Sequence, residues 1–244
     1  MKKFIKITVL LLIINSSFII QNSFSQSGWI KQSIGNFHFY CVHFYNYNTG
    51  YVVSGSADFH KTTNNGLNWV YSNTGLGSPL DAYFFDTFNI VLVGSKIYHG
   101  MIRLTHDGST WTDYYIAPNL EVFYLGATDW LDMNTGYCIG VDYNMSNYYG
   151  RIFKTTNGGN NWFEQFPSYS GAYYDIKCKS LDTSYLLTGT GLYKTINQGL
   201  NWSLYSNTFY NGKNFFFPNF DTIYVGGYWG IIKRSIDKGV TFSD

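Results

Sequence analysis

KTTNGGNNW, running from Lys154 to Trp162, is written five times in this chain with small changes, and its reading decides the fold. The other copies are KTTNNGLNW at 61–69, RLTHDGSTW at 103–111, KTINQGLNW at 194–202 and RSIDKGVTF at 234–242. Each aligns a basic residue, an amide or carboxylate, a glycine and a terminal aromatic. The corresponding residues are Asn64, Gly66 and Trp69; Gly108 and Trp111, with His106 off pattern at the acidic position; Asn157, Gly159 and Trp162; Asn197, Gly199 and Trp202; and Asp237, Gly239 and Phe242. An Asn or Asp side chain accepts from backbone N–H groups just ahead of it and closes a tight loop. The glycine opens the positive-φ region, and the aromatic starts the next strand with a large apolar surface to bury. The motif is therefore a turn that staples two strands. Repeated at intervals of about 40 to 50 residues, it predicts propeller blades.

The text between the copies agrees. NTGYVVSG at 48–55 and NTGYCIG at 134–140 match closely, and NIVLVG, SYLLTG and TIYVGG end at Gly94, Gly189 and Gly227. Such short β-branched and aromatic runs between Asn, Asp and Gly turns are strands. Each blade reads as an inner strand, a turn, a second strand ending at glycine, a third strand running into the box, and an outer strand from its aromatic. The expected fold is all-β, a propeller of four-stranded antiparallel blades with five boxes present.

Residues 1–25 carry Lys2, Lys3 and Lys6 ahead of an apolar run, and Ser23-Phe24-Ser25 sets small residues for cleavage before Gln26. This predicts a signal peptide, an exported protein placed outside the cell, on its surface or in the periplasm, and no transmembrane segment after cleavage. Residues 26–244 then form one propeller domain. Gly28-Trp29-Ile30-Lys31-Gln32 resembles a strand that follows a box, and the last box lies close to residue 244. The expectation is a fragment of a ring of six to eight blades, C-terminally incomplete, with a closed five-blade ring as the rival.

The boxes, above all Ser235-x-Asp237-x-Gly239-x-Thr241-Phe242, resemble the Asp-box, or BNR repeat, of β-propellers. The wording NTGYCIG followed by RIFKTTNGGNNW is most similar to the photosystem II assembly and stability factor family. Sortilin, sialidase and xyloglucanase propellers share the box more distantly. The resemblance implies the fold over nearly the whole chain after the leader and leaves function open, because enzymes and non-enzymes use the same turn.

Composition narrows the chemistry. One residue in five is aromatic, 13% are charged and the formal net charge is +1, which gives no case for nucleic acid. Cys41, Cys138 and Cys178 have no metal spacing, and their disulfide state is open; the histidines are scattered. No cofactor or metal is expected. A sialidase needs three convergent arginines, but Arg103 and Arg234 fill the basic slot of their boxes and Arg151 stands apart. A glycosidase needs two facing carboxylates. Asp129, Asp142, Asp175 and Glu121 read instead as turn formers or solvated charges, so no catalytic residue is assigned. The long loops Gly94–Gly100, Pro118–Gly126, Val141–Gly150, Pro167–Asp175 and Gly226–Gly230 offer Tyr143, Tyr148, Tyr149, Tyr173, Tyr228 and Trp229 as candidate ligand-binding aromatics. The function expected is a binding or scaffold module for a protein or glycan. The alternatives are part of a secreted polysaccharide-active glycoside hydrolase, a surface module exported through a sorting domain, and a photosystem assembly factor-like protein.

Overall fold

A computed structural model describes residue 34 and residues 38–243, apart from 56–57, 74, 76, 98, 117–121, 145–146, 166–170 and 208–211. The predicted signal peptide, the Trp29 strand and Glu121 lie outside the described residues.

Five antiparallel sheets follow one another in sequence order. Blade 1 holds β1 (Phe39–Phe44), β2 (Gly50–Ser54), β3 (Asp58–Thr62) and β4 (Val70–Asn73). Blade 2 holds β5 (Ser78–Phe84), β6 (Ile90–Lys96), β7 (His99–Thr105) and β8 (Thr112–Tyr115). Blade 3 holds β9 (Val122–Trp130), β10 (Gly136–Asn144), β11 (Asn147–Thr155) and β12 (Phe163–Gln165). Blade 4 holds β13 (Tyr173–Cys178), β14 (Ser184–Thr188), β15 (Gly191–Thr195) and β16 (Ser203–Ser206). Blade 5 holds β17 (Gly212–Phe216), β18 (Ile223–Gly227) and β19 (Ile232–Ser235), and an Arg234–Ser243 bridge begins its outer edge. This is a five-blade β-propeller, and it bears out the expected fold class.

The core sits between blades. The second strands are apolar through their middle, and four clusters join blade 1 to 2 through Tyr51 and Leu92, 2 to 3 through Val91 and Cys138, 3 to 4 through Tyr137 and Leu186, and 4 to 5 through Tyr185 and Val225. Residues alternate in direction along a strand, so one side of each sheet packs on the next blade and the other on the preceding one.

The boxes fold as turns with one addition that the sequence reading lacked. Thr155 Oγ1 accepts the Gly159 N–H at 2.9 Å while Asn157 Oδ1 accepts the Asn161 N–H at 2.9 Å. Thr62, Thr195 and Ser235 hold Gly66, Gly199 and Gly239 in the same way. The residue before the glycine, Asn65, Gly158, Gln198 or Lys238, has φ between 58° and 69° and donates its N–H to the preceding turn of the blade.

The second box departs from the alignment. Gly108 has φ 72° and donates to Phe88 O, so it matches Asn65 and Gly158 rather than Gly66 and Gly159. Asp107, not His106, caps this turn through the Ser109 and Thr110 N–H groups. The box is one residue shorter, and Arg103 therefore falls outside the basic slot and pairs with Asp113.

Val141–Gly150 is also corrected. It is a hairpin of β10 and β11 in continuous register as far as Asn144 and Asn147, so strand length, not a loop, sets the long interval.

Candidate functional site

Two regions of the propeller concentrate polar or aromatic groups: the surface of the inner strands, and the end at which the second strand turns into the third.

The inner strands are β1, β5, β9, β13 and β17, and all five slip register at the same place. The extra residues are Tyr40, Leu80, Gly126, Tyr174 and Lys213. A bulge re-aims the side chains that follow it. Asp81 and Asp175 directly follow their bulges, Asp129 lies three residues past Gly126, and all three cross to the next blade. Asp81 Oδ2 accepts the Thr128 N–H at 2.9 Å, Asp129 Oδ2 accepts the Cys178 N–H at 2.6 Å, and Asp175 Oδ2 accepts the Phe215 N–H at 3.0 Å. Lys177 donates to Asp175 Oδ1 at 2.8 Å.

Burial pushes the Asp81 and Asp129 carboxyls up to about 6, with Lys177 and the N–H donors opposing it. Burial works against the Lys177 charge too, but Asp175, Asp129 and Asp81 outweigh it and hold its pKa above the usual range. Cys41 stands on β1 where Asp81 stands on β5, beside the Ala82 N–H. Burial, and then Asp81, push its thiol up to about 12. A cavity of about 240 Å3 opens here, lined by His43, Asp81, Tyr83, Thr128, Asp129 and Lys177. His43 stacks on Phe84 at 4.7 Å, and burial lowers its pKa.

The reading of Asp129, Asp142 and Asp175 as turn formers or solvated charges is overturned. All three lie in strands, and Asp142 and Asp175 are buried. Asp142 and Glu164 hold Arg151 at 2.6 and 2.7 Å. The signal was present: aspartate is depleted in strands, so one inside an apolar run marks a specific partner. Arg103 and Arg151 are likewise ion-paired, with Asp113 and with Asp142 and Glu164.

Of the candidate aromatics, Tyr143 and Tyr148 are cross-strand neighbours in β10 and β11, and Tyr149 is half-buried. Tyr173 is 5% exposed within the core between blades 3 and 4, which removes it as a ligand contact. Tyr228 and Trp229 are brought together with residues the sequence reading missed. Lys213 Nζ lies 3.1 Å from the Tyr174 ring centroid and 4.3 Å from that of Tyr228. Trp229 is 90% exposed on a left-handed backbone, φ 63° and ψ 23°. That conformation is costly for a bulky residue and clusters at functional sites.

Among the described residues no helix is long and apolar enough to cross a membrane, and no group of three or more His, Cys, Asp or Glu is arranged to hold a metal. The three cysteines are thiols.

No family model matches the chain, and no curated protein matches its sequence. Solved structures do. The chain is similar to YCF48 from Cyanidioschyzon merolae, with TM-score 0.61 and 16% identity over 89% of this chain and 74% of that one. It is similar to an ancestral GH74 enzyme, with TM-score 0.61 and 15% identity over 87% of this chain and 32% of that one, so it spans about a third of that enzyme. It is also similar to the WD40 β-propeller domain of Doa1, with TM-score 0.59 and 10% identity over 86% of this chain and 69% of that one. At such identities the likeness is one of fold, and that fold is shared by binding domains and hydrolases alike.

Proposed function

We propose that this protein is an exported β-propeller that binds a ligand and does no chemistry on it, and that the ligand seats on the end carrying Tyr174, Lys213, Tyr228 and Trp229. The observation behind the reading is the Trp229 indole, almost fully exposed on a strained backbone and next in the chain to Tyr228, whose ring, with that of Tyr174, flanks Lys213. An indole and phenol rings with a cation at their edge suit stacking on a sugar ring or packing on an extended peptide. The inner-strand carboxylates support the same reading. Asp81, Asp129 and Asp175 are each bonded to a neighbouring blade, whereas a glycosidase needs a carboxylate pair facing its substrate.

The test is retention in native gels containing each of a panel of soluble polysaccharides, with reducing ends assayed in parallel. Retention without release supports the module, and Trp229→Ala should weaken it by about tenfold or more, the effect of removing a central aromatic anchor. Release of reducing ends by the wild type, or retention unchanged in Trp229→Ala, overturns the reading.

A further inference from the structure

Tyr174 and Lys213 stand at one position of the repeat. Each is the extra residue of an inner-strand bulge, Tyr174 on blade 4 and Lys213 on blade 5, and the other blades have Tyr40, Leu80 and Gly126 there. A bulge residue is left out of the ladder, so its side chain can lean on the turn between the second and third strands of its own blade. Tyr40 leans on Gly55 and Tyr174 on Gly189, with ring carbons 2.6 and 3.8 Å from where a Cβ would stand, and Lys213 leans on Tyr228.

Of these five bulge residues Lys213 alone carries a charge. Its side chain is half-buried, and its Nζ lies 3.1 and 4.3 Å from the centroids of the Tyr174 and Tyr228 rings. Among the described residues no Asp or Glu pairs with it, whereas Arg103, Arg151 and Lys177 each hold a carboxylate. The rings attract the ammonium through their negative faces but cancel none of its charge. Partial removal from water strengthens the pull of that charge on a ligand carboxylate.

Trp229 supplies a platform rather than a pocket. Its indole is 90% exposed. A peptide anchor is held in a pocket that takes it out of water, which so exposed a ring does not form. A pyranose needs only a flat surface, because its C–H face stacks on the indole while its hydroxyls stay in water. A uronic acid carries its carboxylate at the edge of that ring, where a cation beside the platform can meet it. Tyr228 links the two, next to Trp229 in the chain and in contact with Lys213.

We infer that the ligand of this end is an acidic glycan, with the pyranose face of a uronic acid on Trp229 and a uronic carboxylate accepting from Lys213 Nζ. The inference rests on the proposed binding function and narrows it to one class of polysaccharide.

Native gels containing polygalacturonate or alginate, each also as its ester, or neutral dextran test it with the full chain. Esterification removes the charge and keeps the backbone. At least one of the two acidic polymers is expected to retain the wild type about tenfold or more above its ester and dextran, the effect of one charge-assisted hydrogen bond. Lys213→Gln should lose that margin, Lys213→Arg should keep most of it, and a circular-dichroism melt checks that each variant is folded. Equal retention by acid and ester, or a margin that survives Lys213→Gln, overturns the acidic class and leaves a glycan-binding propeller standing. Retention by dextran sulfate that matches the acidic polymer, and is equally lost in Lys213→Gln, is attraction to charge alone and overturns it too. Retention by none of these polymers overturns the inference together with the glycan reading it rests on.

Discussion

Thr155 shows how little of the box is decided by the residues that make it conspicuous. Its hydroxyl, fully buried, serves the Gly159 N–H and lies 3.3 Å from the Asn157 N, while the exposed Asn157 closes the far side of the turn. Thr155→Val keeps the shape and leaves a buried N–H without its acceptor, so it should cost about 1 to 3 kcal/mol in a denaturant melt. Trp162 is half-buried, meets Trp130 edge to face at 5.6 Å and donates its indole N–H to Gly159 O. Trp202 is 6% exposed. Truncation to alanine should therefore cost about 3 to 5 kcal/mol at Trp202 and less at Trp162, measured by the same melts. The hydroxyl was visible in every copy as the Thr or Ser four residues ahead of the box glycine, three in the second box. It passed unnoticed because the second box, one residue short, hides the column when glycines are aligned.

At the scale of the element, the inner strands act less as a lining than as a seam. Each has a bulge, and in β5, β9 and β13 an aspartate that follows it turns toward the next blade, where its carboxylate accepts a strand N–H that lies on the edge away from its own sheet. The seam should make stability depend on pH. Asp81 and Asp129 bind protons in the fold up to about pH 6, which the unfolded chain releases near 3.8. Their raised pKa thus contributes stability that is complete below about pH 4 and is lost as pH rises through 6. Asp237, held below the usual range by its bonds to Thr241 and Ser235, works in the opposite sense only at lower pH. Melting temperature should fall by a few degrees between pH 5 and 7.5 at constant ionic strength. Asp129→Asn, which keeps an acceptor oxygen without the charge, should flatten that fall. A slope unchanged in Asp129→Asn would show that the carboxyl titrates elsewhere.

For the whole molecule, the order of blades follows from repetition, because each sheet can bury its two apolar sides only against neighbours of the same kind. The chain by itself determined the all-β class, the five turns and the strands between them, since the period of the boxes and the alternation of apolar residues are local signals. It also pointed to the end where Tyr228 and Trp229 stand. Only the tertiary structure decided which aspartates are part of the seam, that Tyr173 belongs to the core, and that Lys213 and Tyr174 join the aromatic cluster. These depend on residues some 40 positions apart that meet across a blade boundary, and on bulges that change where a side chain points. A sequence pattern with period two carries neither the neighbour nor the slip.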